Sequence, residues 1–328
     1  MSPVAFFFKD RPFKSPGYRF FSIALRRFAN LFFLPLCYVD FFIAKLFRSP
    51  PDNLKSEKSI QARNVLIYSV FVNNLSELLR LKIEILSLQT EFDFIMIVNT
   101  GATSVLGISK NLEKIAVFDR ENTQRDFGSY KFALKHLDFE NCVQICLIND
   151  SVFWQKHSLT EFIKEAEQNE ARIVGMTKSN QRGVHLQSYC ILFKEPSIED
   201  FRAILQLPPV MFKRSIVYFG EFRLSKELKK RQVLFDAIWD AEALLESFQP
   251  LSEIETDYRE YLTKYSGQGI SLNPSIHLAI PLYRKAGIIK KVILRENPAK
   301  FSSPIRGILS MAVQSILLDL PVKNLERD

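Results

Sequence analysis

From residue 60 onward, short continuous apolar runs alternate with longer stretches of helical spacing. Val65–Val72, Phe92–Val98, Ile115–Phe118 and Val143–Ile148 read as strands, with Leu75–Leu88 and Phe127–His136 as helices among them. A strand that is apolar at nearly every position is buried on both faces, as in a parallel sheet covered by helices on each side. The pattern therefore predicts an α/β domain with a Rossmann-type, mostly parallel sheet flanked by helices. Beyond residue 150 come a helix near Leu159–Gln168, strands over Arg172–Met176 and Gln187–Phe193, a helix opening near Ile198-Glu199-Asp200, and a charged helix over Leu224–Arg231. Asn273-Pro274 opens a helix that runs to Ala286 and is closed by Gly287; Ile289–Leu294 reads as a last strand and Ser303–Leu320 as an apolar terminal helix.

The start of the chain breaks this pattern. Residues 1–50 hold eight Lys/Arg against Asp10 and Asp40, so they carry +6 of the chain's net +8, together with fourteen aromatic residues, including the pairs Phe20-Phe21, Phe32-Phe33 and Phe41-Phe42. The longest uncharged run, Phe28 to Val39, has twelve residues and contains Pro35, whereas crossing a bilayer takes roughly 20 apolar residues. Between Phe20 and Phe33, Ser22, Arg26 and Asn30 recur every four residues while apolar side chains cover most of the rest. That is the pattern of a helix lying in an anionic membrane surface; a helical hairpin packed on the following domain, or an oligomer interface, would show it too. Aromatics in adjacent pairs do not punctuate a basic face, so nucleic acid is not the expected partner. Charges at Lys9, Arg11, Lys14 and Arg19 leave no early apolar core for a signal peptide. Ser49-Pro50-Pro51-Asp52 and the polar residues after it read as a linker, which divides the chain into a segment 1–58, a domain 59–300 and a terminal helix and tail 301–328.

At 328 residues and 47% hydrophobic content the chain can bury a large core without staples. Its four cysteines have no Cys-x-x-Cys spacing and read as small hydrophobes in a reducing compartment. The candidate chemistry sits at strand ends, the part of an open α/β sheet where ligands bind. Arg120-Glu121-Asn122-Thr123-Gln124-Arg125-Asp126-Phe127-Gly128 follows one strand, and Asn149-Asp150-Ser151 closes another. An arginine suits a diphosphate, and an Asp/Asn pair suits ribose or base. Asp126 would equally cap its helix, and Asn-Asp-Ser would equally form an Asx turn.

These two patches resemble the rhamnan synthesis protein F family of bacterial glycosyltransferases, in which an arginine, an asparagine and an Asp-Phe-Gly run precede a hydrophobic strand ending in Asn-Asp-Ser. Three later patches keep the order: His185-Leu186-Gln187-Ser188-Tyr189, then Glu221 with Leu224-Ser225, then Asn273-Pro274 followed by Leu294-Arg295-Glu296-Asn297-Pro298. The resemblance covers roughly residues 62–298 and departs at Gln124, where the family usually has Gly, which implies a wider loop or a different donor.

The resemblance implies a GT-A-like fold and transfer of a sugar, rhamnose first among candidates, from a nucleotide diphosphate sugar such as dTDP-rhamnose. The acceptor would be lipid-linked or a growing surface polysaccharide, at the cytoplasmic face of the inner membrane. Arg120, Asn122, Asp126, Gly128, Asn149 and Ser151 would hold the donor. Asp150 would organise the diphosphate, with or without Mg²⁺ or Mn²⁺ as cofactor. His185, Gln187, Ser188 and Asn273 would contact acceptor or sugar, and Glu221 would take the acceptor proton. A lone histidine is more often structural, and a glutamate at a helix start more often serves the dipole. Asp236 and Asp240, spaced i and i+4, are alternative bases, and Lys290, Lys291 and Arg295 would form a basic wall facing a diphosphate-lipid acceptor. Two rivals remain at this stage: a transferase moving a phosphate-linked group, and a non-catalytic scaffold or glycan-binding component of a polysaccharide assembly.

Overall fold

The computed structural model describes residues 35–43, 60–111, 114–122, 124–181, 183–208, 210, 213–267, 271–299 and 301–318. Its strands are β1 (Asn64–Val70), β2 (Phe94–Asn99), β3 (Ile115–Asp119), β4 (Gln144–Asn149), β5 (Val152–Trp154), β6 (Ile173–Ser179), β7 (His185–Leu186), β8 (Cys190–Lys194), β9 (Phe235–Trp239) and β10 (Ile288–Lys290). The main sheet runs β3-β2-β1-β4-β8-β6, with β7 and β9 both on β6. β1 to β4 are mutually parallel, β8 is reversed between β4 and β6, and β9 is parallel to β6. The sheet is thus the mostly parallel α/β arrangement read from the apolar runs.

Both faces are covered. Along β1, Val65 and Ile67 enter one buried cluster while Leu66, Tyr68 and Val70 enter the other, which is why the run is apolar without alternation. The helix Leu75–Leu88 has the bounds read from its spacing, and Asn74 caps it by accepting from Glu77 N while Glu77 reaches back to Asn73 N. The terminal helix Ser303–Leu318 buries Ile305, Leu309, Val313 and Ile316 in the same cluster as Tyr258 and Leu262. Among the described residues, no helix is long and apolar enough to cross a membrane.

Five expectations are corrected. Gln187–Phe193 is not one strand: β7 and β8 flank Gln187-Ser188-Tyr189, which is tied by backbone bonds to the neighbouring strands through Gln187 N and Tyr189 O. Ile289–Leu294 is a strand only through Lys290, because its partner β5 has three residues; the helix Lys291–Glu296 follows. The helix from Pro274 breaks at Leu278. Pro281 has no N–H to give the His277 carbonyl four residues earlier, and the Tyr258 hydroxyl donates to that carbonyl instead. Phe235–Trp239 is a strand and not a helix, so Asp236 and Asp240 are not an i, i+4 pair; Asp236 pairs with Lys178, and Asp240 caps the next helix by accepting from Ala243 N. Finally, the charged helix is the end of a longer helical rod: Lys213–Ile216, a π turn over Val217–Phe222, then Arg223–Lys230.

Of the N-terminal segment, residues 35–43 are helical. Cys37 is buried, and Phe41 and Tyr38 stack on Phe219 with ring centroids 4.5 and 5.5 Å apart. Leu36, Val39, Phe42 and Ile43 point outward. The stretch Phe20 to Phe33 and the linker lie outside the described residues.

Candidate active site

The register of the parallel strands sets four polar residues side by side at one end of the sheet: Ser69 opposite Asn149, and Asn99 opposite Asp119. Asp150, one residue past β4, donates its N–H to Ser69 O at 3.0 Å, and its carboxylate accepts from Phe71 N at 3.3 Å. Asn149 is 1% exposed and fully engaged. Its Oδ1 accepts from Ser151 N at 3.0 Å and from the Ser151 hydroxyl, while its Nδ2 donates to Asp126 Oδ2 at 3.0 Å. Ser69 Oγ reaches the other Asp126 oxygen at 3.4 Å. Asn-Asp-Ser therefore does form an Asx turn, and that turn aims Asn149 at the carboxylate of Asp126.

Asp126 lies in the first turn of the helix Arg125–Leu134, beside Asp150 and Glu221. Burial first, then the Asp150 charge, raises its carboxyl from an ordinary 3.8 to about 7, with Glu221 adding to the rise and the Ser69 bond and Arg125 opposing it. The residue ahead of this helix is Gln124, at φ 62°, in the left-handed region that favours glycine. Here the glutamine is buried, and its Nε2 donates to Leu207 O at 2.8 Å and to Pro208 O. The side chain turns inward, and its bonds hold a backbone conformation that a non-glycine residue rarely adopts.

Phe127, next in the run, meets Gly220: a Cβ added there would come within 2.8 Å of the Phe127 ring. The Asp-Phe-Gly run and the π turn are thus packed together, and the turn presents Glu221. Glu221 Oε1 accepts from Ser188 Oγ at 2.6 Å and Ser188 N at 3.2 Å; Oε2 faces His185 Nε2 across 3.9 Å. His185 Nδ1 lies 2.9 Å from Gly183 O, which assigns it the ring proton, and the ring stacks on Phe222. Tyr130 OH donates to Ser188 O at 2.9 Å, tying the two halves of the site. Glu221 is well inside a helical rod, so it does not serve a helix N-terminus.

Gln187 is buried and Asn273 partly so, and the two are hydrogen-bonded to each other. Gln187 is 4% exposed, accepts from Thr177 Oγ1 at 2.7 Å and donates to Ser275 Oγ at 3.0 Å and Asn273 Oδ1 at 3.3 Å. They brace the loop that carries Ser188. Gly128 is buried within its helix. Arg120 and Asn122 stay on the loop after β3, which Arg120 N ties to Asn99 O at 2.9 Å. Asn122 is exposed, as is Arg295 on the last turn of its helix.

Lys291 stands beside Asp150: Nζ is 3.5 Å from Oδ2, and its backbone N–H donates to Ser151 O at 2.8 Å. This bears on a divalent ion. Among the described residues no group of three or more His, Cys, Asp or Glu is placed to hold a metal. An ion bound to Asp150 Oδ2 at ordinary Mg²⁺ or Ca²⁺ distances would lie at most about 6 Å from a mostly buried ammonium. The donor set about Asp150 does not fit a metal held by the protein. Ser69, Tyr130 and Asn99 carry no sequence signal of their own; only their positions at strand ends or on a buried helix mark them.

No family model matches this chain, and no curated protein sequence matches it. Solved structures do resemble it at low similarity. They include 4-diphosphocytidyl-2C-methyl-D-erythritol synthase from Anaerococcus prevotii (9% identity, TM-score 0.36, 62% of this chain and 96% of that one). A protein described as a nucleotide-diphospho-sugar transferase from Desulfovibrio desulfuricans G20 follows (10%, 0.34, 63% and 97%). Mannosyl-3-phosphoglycerate synthase from Rubrobacter xylanophilus is similar to the same degree (11%, 0.33, 64% and 76%). Likeness at this level says nothing of what this chain binds.

Proposed function

We propose that this protein is a glycosyltransferase that moves a sugar, rhamnose first among candidates, from a nucleotide diphosphate donor to a lipid-linked or polysaccharide acceptor of the bacterial surface. The observation that carries the reading is the convergence of Asp126, Asp150 and Glu221 at the carboxyl mouth of the sheet; among the described residues Glu221 Oε1 takes two hydrogen bonds from Ser188, while Oε2 faces only His185 Nε2, at 3.9 Å. The acceptor oxygen attacks C1 of the sugar and gives its proton to Glu221 Oε2. As the new C1–O bond forms, the bond from C1 to the phosphate oxygen breaks, and its electron pair leaves on the nucleoside diphosphate. Asp126 and the Arg120–Asn122 loop address the nucleotide, and Asn149 and Ser188 hold the two carboxylates in place.

We place the acceptor side next to the N-terminal helix. Residues 35–43 pack on Tyr218 and Phe219, in the same π turn that presents Glu221, and turn Leu36, Val39, Phe42 and Ile43 outward. A cleft of about 920 Å³ beside them is lined by apolar residues such as Tyr38, Val184, Tyr218 and Phe222 and by Lys226 and Lys229, with Glu227 and Asp236 among its charged groups. Seating that face on the cytoplasmic surface of the inner membrane brings Glu221 to the side from which a lipid-linked acceptor arrives.

Thermal stability against dTDP, UDP and GDP tests the reading, because a ligand at 100 times its Kd stabilises by about 2.7 kcal/mol. A rise with one nucleotide, lost in Asp126→Ala, supports the transferase and names the donor class. No rise with any, alongside binding of glycan, makes the chain a scaffold. Flotation of the full chain with anionic vesicles, and its absence with neutral ones, tests the membrane placement.

A further inference from the structure

β5 and β10 form a separate two-stranded ladder, with Lys290 opposite Val152 and Ile289 opposite Phe153. Its register pins the residue after β10 against the end of β4: Lys291 N bonds Ser151 O, and Lys291 Nζ stands 3.5 Å from Asp150 Oδ2. The ammonium has 10% side-chain exposure and lies 5.5 Å from the Phe153 ring centroid, with the Arg80 guanidinium near the same ring at 5.5 Å. A hydrogen bond of good strength from nitrogen to oxygen spans about 2.7–3.2 Å, so this pair is longer than one and leaves donor capacity on the ammonium. Burial lowers the lysine's pKa from its usual value, with Arg80 adding to the fall and the adjacent Asp150 opposing it and favouring the charged form. The fold has thus placed a mostly buried cation at the strand end where the leaving group of the proposed transfer would gain negative charge.

We propose that Lys291 binds the diphosphate of the donor and neutralises the departing nucleoside diphosphate, so that the positive charge at this site is built into the chain. The inference rests on the glycosyltransferase reading. When the bond from C1 to the phosphate oxygen breaks, the oxygen keeps the electron pair, and the Lys291 ammonium donates to it; no proton need leave the lysine. Asp150 holds the ammonium in place, and β10 supplies the rigidity. A lysine in this place acts by charge, whereas a metal would need its own ring of oxygen ligands.

The test is direct binding of a nucleoside, its diphosphate and its diphosphate sugar to the full chain, in EDTA and in Mn²⁺, for wild type, Lys291→Met and Lys291→Arg. Binding of the diphosphate in EDTA is expected, with a loss of about tenfold to a hundredfold in Lys291→Met, as for loss of a hydrogen bond to a charged group. The nucleoside should bind Lys291→Met as it binds wild type, and Lys291→Arg should recover part of the loss. Diphosphate binding that requires Mn²⁺ and ignores Lys291→Met overturns the proposal. So does equal weakening of nucleoside and diphosphate, which marks Lys291 as structural only. If wild type binds none of the three ligands in either condition, the transferase reading itself fails and this inference falls with it.

Discussion

Replacing Asp126 by asparagine should make the protein more stable at pH 8 and leave it unchanged at pH 4. The folded chain holds the Asp126 proton up to about 7, whereas the carboxyl ordinarily releases it at 3.8. Between those values the native state binds a proton that the unfolded state does not, so stability falls as pH rises through the window and the full cost is present above 7. At about 1.4 kcal/mol for each pH unit, the interval from 3.8 to about 7 corresponds to about 4.5 kcal/mol, and because the residue is only half-buried about 2–4 kcal/mol is the expected size. Asparagine removes this cost without breaking the local bonds. Its oxygen can accept from Asn149 Nδ2, and its amide can donate to the Ser69 hydroxyl, which is free to reverse its role. Urea unfolding of both proteins at pH 4, 5, 6, 7 and 8 reads the difference directly, and other titrating groups cancel in it. A difference that is constant with pH, or a wild type that is the more stable at pH 8, refutes the argument. The same variant should bind nucleotide more weakly, so that stability and binding move in opposite directions, as expected where a site holds strained charge.

Glu221→Gln keeps an oxygen for Ser188 and removes the base. Transfer should drop by about 10²- to 10⁴-fold with nucleotide affinity unchanged, and retained turnover would assign the base elsewhere. Gln124→Ala should cost about 1–3 kcal/mol, since Pro208 O loses its donor while Leu207 O keeps Lys131. Gln124→Gly should cost about 1 kcal/mol less than Ala, because only glycine accepts the left-handed backbone freely; equal costs in urea unfolding would remove the role given to φ. At Gly101 an added Cβ would sit 2.1 Å from Val72 O. Gly101→Ala must therefore separate the loops that follow β1 and β2, and a fall of less than about 1 kcal/mol in unfolding free energy would show that this junction yields easily.

What could be read from the chain alone, and what could not, divides by how local the cause is. The strands β1, β2, β3 and β4 were legible because burial on two faces writes a continuous apolar run, and the helix Leu75–Leu88 because cap and periodicity agree. β5 and β9 were not, and β10 only in part, since each has three or five residues and owes its conformation to a partner far along the chain, Ile289 to Phe153 and Asp236 to Val174. The site divides in the same way. Polar residues ending an apolar run marked Asn149-Asp150-Ser151, and the polar loop after another marked Asp126, but nothing local says that Asn149 donates to Asp126, or that Gln187 donates to Asn273. Glu221 shows the limit most clearly. Its neighbours Leu224 and Leu228 write an ordinary amphipathic helix and invite the view that the glutamate stands at its start. The rod begins eight residues earlier, at Lys213, and widens into a π turn where Gly220 lies against Phe127. A widened turn shifts the following side chains around the helix axis, so the direction of Glu221 depends on a ring ninety-four residues back in the chain. The Asp-Phe-Gly run and the glutamate therefore form one structural unit: its aspartate is held by Ser69 and Asn149, and its phenylalanine sets the place of Glu221.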